Sequence, residues 1–343
     1  MNGSTLMEIK NSNFSTFNYG LSKNTSANVL VVLELITSIC LLIGNGYIFA
    51  LIQRGKLLGR STNVFVFSIA SADLLNALIS IPSHILSVTY KGELSIYMCK
   101  CFTLGSYISK TVVQYTILCM TIEKAMRILC PTKEIVTLAR CMFCTSLLWF
   151  FAPSFNIWCV VFFTIEESKR DSLIGIFDTS SLSRCVLKPK FNYLHTYYLT
   201  IDLIVLFFVP CFSVFVIFMI LVQKYFTVLK ERIITYFFVV KLLLALYTVI
   251  IVCQFPLEVI VILDNTKPNV STSWTLLVNC AVLFSFSRGI WNVCIYCYFR
   301  HFFSKKRHLA TIRASSNAKR NGFRMNSLNM KNRMSHRPRK ETP

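Results

Sequence analysis

The sequence predicts an all-α protein, a bundle of seven membrane-spanning helices followed by a short amphipathic helix. Two observations carry that expectation. Seven apolar runs lie at residues 29–51, 62–85, 102–129, 142–163, 199–222, 235–262 and 274–298. Each reaches the roughly 20 residues that a helix needs to cross about 30 Å of hydrocarbon. Composition agrees, with 54% of the 343 residues hydrophobic, 15% charged and a mean hydropathy of +0.57; soluble domains carry about 25% charged residues. In hydrocarbon a backbone must satisfy its own hydrogen bonds, so such runs are helices. The length suits one membrane bundle rather than two soluble domains.

The elements follow in order. Residues 1–27 are polar and show no apolar core ahead of a small-residue cleavage site, so the first run is expected to act as its own insertion signal. The bundle spans residues 28–298. Its first run holds Gly44-Asn45 and its second Ala70-Ser71-Ala72-Asp73-Leu74. The third begins near Cys99 and ends in Thr121-Ile122-Glu123-Lys124-Ala125, with Cys130-Pro131 just beyond. Trp149 and Pro153 fall in the fourth, Pro210 in the fifth, Cys253-Gln254-Phe255-Pro256 in the sixth and Asn292-Val293-Cys294-Ile295-Tyr296 in the seventh. Each of these helical prolines removes a donor and crowds the carbonyl one turn back, so kinks are expected there. Phe299-Arg300-His301-Phe302-Phe303 opens an amphipathic juxtamembrane helix at 299–308. Residues 309–343 are a polar, basic cytoplasmic tail, expected to be disordered.

Two independent signals orient the bundle with its N-terminus outside. The N-glycosylation sequons at Asn2, Asn13, Asn24 and Asn269 all fall on the face that holds the N-terminus. Positive residues gather on the other face: Arg54, Lys56 and Arg60 after the first run, Lys224, Lys230 and Arg232 after the fifth, and many more in the tail. Such residues stay cytoplasmic. The tail also supplies much of the formal net charge of +21. Beneath a bilayer each Lys or Arg gains about 1 kcal/mol from anionic lipid, so the expected partner of the tail is the membrane surface rather than nucleic acid.

In order and spacing these motifs resemble those of the rhodopsin-like (class A) G protein-coupled receptors, over about residues 28–308. The resemblance implies a plasma-membrane receptor that binds an extracellular ligand and signals to a heterotrimeric G protein. It also implies a disulfide from Cys99 at the top of the third helix to Cys185 in the second extracellular loop, with Cys101 as a competing partner. The cytoplasmic switch would comprise Glu123, Lys124, Asn292 and Tyr296. Several positions depart from the family pattern. The Asp-Arg-Tyr triplet is Glu123-Lys124-Ala125, and lysine offers a flexible point charge where arginine offers a planar fork. Val293 replaces the seventh-helix proline, Gln254 the sixth-helix tryptophan and Phe218 the fifth-helix tyrosine. A receptor-fold protein that binds without signalling is therefore an alternative. A transporter or channel is a further one, although no internal repeat with matching broken helices is present.

Ionisable residues inside the runs carry the chemistry: Glu34, Asp73, Lys110, Asp202, Lys241, Glu258 and Arg288. Each costs about 2.5–3.5 kcal/mol at mid-helix, so they should face the interior or one another. Lys241 lies near a helix end and can snorkel. By resemblance Asp73 anchors a buried sodium ion. Here a third-helix partner is Val113 and a seventh-helix partner is Arg288, which supplies the cation covalently, so an Asp73–Arg288 pair is expected in place of sodium. Lys110, Asp202 and Glu258, with Ser106 and Gln254, map to the half where the family binds ligands. The three charged residues could contact ligand or simply neutralise one another. Ser106 stands where amine receptors carry an aspartate and Phe286 where opsins carry the retinal lysine, which argues against both classes. The five histidines show no paired metal-ligand spacing, and phosphate-loop and serine-nucleophile motifs are missing. No enzyme, metal or cofactor is expected.

Overall fold

A computed structural model describes residues 25–55, 60–89, 95–130, 137–168, 182–228, 233–266, 274 and 276–301. The chain divides into two compact units, Met1–Ile295 and Tyr296–Pro343. The described part of the second unit is residues 296–301, the end of the seventh helix. The four sequons and most of the expected 299–308 helix, with the tail, lie outside the described residues.

The first span is the helix Thr25–Gln53. It ends where Gly55 takes a φ of +62° and donates its N–H to the Ile52 carbonyl at 2.9 Å, a left-handed turn that glycine enters without a Cβ penalty. The second span runs Arg60–Leu75, widens into a π-helical turn at Asn76–Ser80 and continues as Ile81–Thr89. The third is Ile96–Leu129, the fourth Leu138–Phe155 with a short continuation Trp158–Phe162. Strands β1 (Phe163–Ser168) and β2 (Leu182–Leu187) then form an antiparallel hairpin that pairs Ile165 with Cys185. The fifth span is Asn192–Asp202, a second π-helical turn Leu203–Phe208, and Val209–Val228. The sixth is Ile233–Thr266 and the seventh Leu276–His301. The all-α bundle thus carries one small hairpin, which the apolar runs did not signal.

Both π-helical turns have the same cause. Each ends two residues or fewer before a proline, Pro82 or Pro210. Proline has no N–H and its ring crowds the carbonyl one turn back, so the helix widens instead of closing its ladder. The wide turns present carbonyls sideways, and hydroxyls from neighbouring spans meet them. Ser38 donates to the Ala77 carbonyl at 2.9 Å, and Tyr115 donates to the Val205 carbonyl at 2.9 Å. In lipid this satisfaction must come from protein, since no water is at hand.

Burial is reversed from the soluble pattern. Phe150, Phe212 and Ile43 are 75%, 69% and 69% exposed, while Glu34, Asp73 and Asp202 are each 1% exposed. Apolar groups face outward to lipid and charges face inward. Six described spans are apolar enough to cross a membrane on hydropathy alone, and the third, Ile96–Leu129, is not among them. Its position explains the difference. It packs against the second, fourth, fifth and sixth spans, so it needs little lipid-facing surface and can bury Ser109, Lys110, Thr111 and Gln114. The seventh span lies close to the first two. A Cβ on Gly289 would stand 2.5 Å from Leu41 Cδ2 and 2.9 Å from Asp73 Cγ, so any larger residue there would have to displace both side chains.

Candidate functional site

A cavity of about 310 Å³ opens inside the first unit. Phe102, Tyr107, Phe163, Leu257, Val282 and Phe286 supply apolar wall, and Ser106, Lys110, Gln254, Glu258 and Arg288 supply polar groups. The volume falls at the low end of the range of small-molecule pockets, and an apolar wall with a few convergent polar groups is their usual lining. Phe163 brings the start of β1 to the cavity, which places the hairpin beside it.

The polar groups form one connected chain. Lys110 Nζ lies 2.7 Å from Glu258 Oε1 and 3.6 Å from Asp202 Oδ2. Gln254 Nε2 donates to the same Glu258 oxygen at 3.2 Å. Its Oε1 accepts from Arg288 Nη1 at 3.0 Å. Arg288 Nη2 reaches Asp73 Oδ1 at 3.2 Å, and Asn292 Nδ2 donates to Asp73 Oδ2 at 3.1 Å. The sequence of links is Asp202, Lys110, Glu258, Gln254, Arg288, Asp73 and Asn292. It draws on the fifth, third, sixth, seventh and second spans. Every member is buried, Lys110 being the most exposed at 9%.

The structure therefore brings Lys110, Asp202, Glu258 and Gln254 together, and separately joins Asp73 to Arg288. Asp202 is not among the described cavity-lining residues and stands behind Lys110. Ser106 lines the cavity and donates back to the Phe102 carbonyl at 3.2 Å. Gln254, given by sequence only as a ligand candidate, is the bridge between the two halves of the chain. Nothing in its position along the helix could have revealed this, because the link depends on how the sixth and seventh spans are rotated.

A second pair, a half-buried histidine on a buried acid, escaped the sequence. His84 Nδ1 lies 2.8 Å from Glu34 Oε1, and the imidazole lines the cavity edge-on to Phe286. Glu34 stood out as an intramembrane acid, but its partner sits on another span, and no spacing rule joins them.

At the other end of the third span, Lys124 Nζ pairs with Glu123 Oε2 at 2.7 Å and also meets Thr62 Oγ1. Arg127 contacts Glu123 Oε1, as does Ser61 Oγ at 2.9 Å. Arg127 was not anticipated, though its i,i+4 spacing from Glu123 is a recognisable signal. Asn292 is engaged with Asp73 rather than with this cluster. Tyr296 is buried and opens the second unit.

Near the hairpin, Cys99 is a disulfide sulfur and Cys101 an exposed free thiol. Cys99 Sγ lies 3.6 Å from the Thr164 carbonyl oxygen on β1. Thr164 pairs across the hairpin with Val186, the neighbour of Cys185.

Six described helices apolar enough to cross a membrane, with the more polar third span packed among them and a cavity lined by buried charge, define a polytopic membrane protein. A family model of the seven-transmembrane receptors of the rhodopsin family matches residues 44–306. The chain belongs to this family, a class of receptors, and is a multi-pass protein of the plasma membrane. It is also similar to the thyrotropin-releasing hormone receptor of Gallus gallus, at 24% identity over 180 residues, covering 51% of this chain and 44% of that relative. The match thus spans less than half of the relative's length.

Proposed function

We propose that this receptor binds an extracellular ligand in the cavity between the third, fifth, sixth and seventh spans and passes the event to a heterotrimeric G protein. The observation that carries this reading is the unbroken polar chain from the cavity wall at Glu258 to Asp73 and Asn292. A ligand that contacts Glu258 or Gln254 changes the partners of Arg288, and hence the contact between the second and seventh spans. Binding then shifts the population between two arrangements by the difference in ligand affinity for them.

The N-terminus lies outside in this reading, with glycans on one or more of Asn2, Asn13, Asn24 and Asn269, and the basic tail meets anionic lipid. Cys99 pairs with Cys185, a reading supported by the hairpin register and by the free thiol at Cys101. Glu123, Lys124, Asn292 and Tyr296 serve the cytoplasmic switch. Glu123 is held by Lys124, Arg127 and Ser61, which favours the silent state.

Second-messenger output across G protein classes tests the proposal, comparing wild type with Lys124→Arg. The expected result is a higher basal signal in the variant through at least one class. Surface expression without signal in either protein, in any class, counts against coupling and leaves a binding protein.

A further inference from the structure

Among the described residues, the cavity wall and the chain beneath it do not balance in charge. Lys110 and Arg288 face Asp73, Asp202 and Glu258, two cations against three carboxylates, all at most 9% exposed. The Glu34–His84 pair adds no positive surplus, since even a protonated imidazole only matches its own carboxylate. A buried charge without a counter-charge is costly. The imbalance is localised. Arg288 serves Asp73 at 3.2 Å, so Lys110 is left with two acids. It sits close to Glu258 at 2.7 Å and far from Asp202 at 3.6 Å, too long for a hydrogen bond. Neither Asp202 oxygen has a hydrogen-bond partner among the described residues, although the residue is 1% exposed. Glu258 is the acid that lines the cavity, whereas Asp202 stands behind Lys110.

From this asymmetry we infer that the cavity takes a ligand bearing a protonated amine or guanidinium group, and that Glu258 binds that group. The inference rests on the reading of the cavity as the ligand site. The incoming cation takes over Glu258, and Lys110 moves from Glu258 to Asp202, closing the 3.6 Å gap. Three carboxylates then face three cations. Gln254, which shares the Glu258 oxygen, feels the exchange directly, so arrival of the ligand is reported to Arg288. An anionic ligand would meet a region already one negative charge in excess and is disfavoured. The aromatic and aliphatic wall selects an apolar body behind the cationic head. The counter-ion comes from the sixth span, while Ser106 occupies the third-span position and offers no charge.

The test uses the purified full-length protein in lipid nanodiscs and three probes of one shape: 3-phenylpropylammonium, 3-phenylpropanol and 3-phenylpropionate. Thermal unfolding is followed as each probe is titrated. The cation is expected to half-saturate its stabilising effect at about tenfold lower concentration than the alcohol, with the carboxylate weaker still. Glu258→Gln removes the preference for the cation. Asp202→Asn weakens it as well, although Asp202 does not touch the ligand, because Lys110 then has nowhere to go. Lys110→Met is expected to strengthen cation binding by about tenfold, which keeps the test decisive if the acid variants fail to fold. Equal response to all three probes, a preference for the carboxylate, or no response in both wild type and Lys110→Met overturns the inference, and a proton then balances the surplus acid. Cation binding without signal output would overturn the signalling proposal and not this one. Signal output with no cation preference would do the reverse.

Discussion

At Arg288 a guanidinium sits within hydrogen-bonding reach of the Asp73 carboxylate on one side and the Gln254 amide on the other. By the family resemblance the aspartate at this place would hold sodium, and the guanidinium instead brings a positive charge on a covalent stem. Removing one partner strands the other in a dry interior at about 3–5 kcal/mol. Asp73→Asn and Arg288→Leu should each lower unfolding stability by that order, and the double variant should lie closer to wild type than their sum. Wild-type thermal stability should respond little to sodium. Additive losses with clear sodium stabilisation would show that Asp73 still holds the ion. The meeting of Asp73 with Arg288 was legible in sequence, because opposite charges inside a bilayer must find each other. The bridging of Gln254 and the pairing of Glu34 with His84 were not, since both depend on helix rotation and not on spacing.

Among the elements, the second and fifth spans show how local chemistry departs from hydropathy. The apolar runs placed both helices but gave no sign of their wide turns, and Pro82 went unremarked beside Pro153, Pro210 and Pro256. Tyr115 closes the wide turn of the fifth span through the Val205 carbonyl. Tyr115→Phe keeps the ring and removes the donor, so it should cost about 1–3 kcal/mol, the penalty of an unmade buried hydrogen bond. Thermal denaturation of the variant that matches wild type would show that the carbonyl finds another donor. The hairpin β1–β2 was also hidden, its two strands being only six residues each. If Cys185 ties it to the third span, Cys185→Ala should depress folding and surface expression, in line with the about 2–5 kcal/mol that a native disulfide contributes in small extracellular domains. Cys101→Ala should leave both unchanged. Normal trafficking of Cys185→Ala would remove the assignment.

For the molecule as a whole, the seven-helix architecture was readable from composition and run length, with one instructive exception. The third span was readable as the run at 102–129, yet its helix is too polar to qualify on hydropathy alone, and it can be so because other spans surround it. Orientation is open to a simple check. Enzymatic deglycosylation should raise gel mobility of the wild type, and replacing Asn2, Asn13, Asn24 and Asn269 together by Gln should abolish that shift; a shift that persists in the fourfold variant would reverse the assignment. The central claim is that the buried polar groups act as one unit from cavity to Asp73. Among the described hydrogen bonds, Glu258 and Asp73 are linked through Gln254 and Arg288. The most direct measurement is therefore a double-mutant cycle on unfolding stability with Glu258→Gln and Asp73→Asn. A connected chain predicts a coupling of about 0.5–3 kcal/mol, and additivity within about 0.3 kcal/mol would show two independent ion pairs instead.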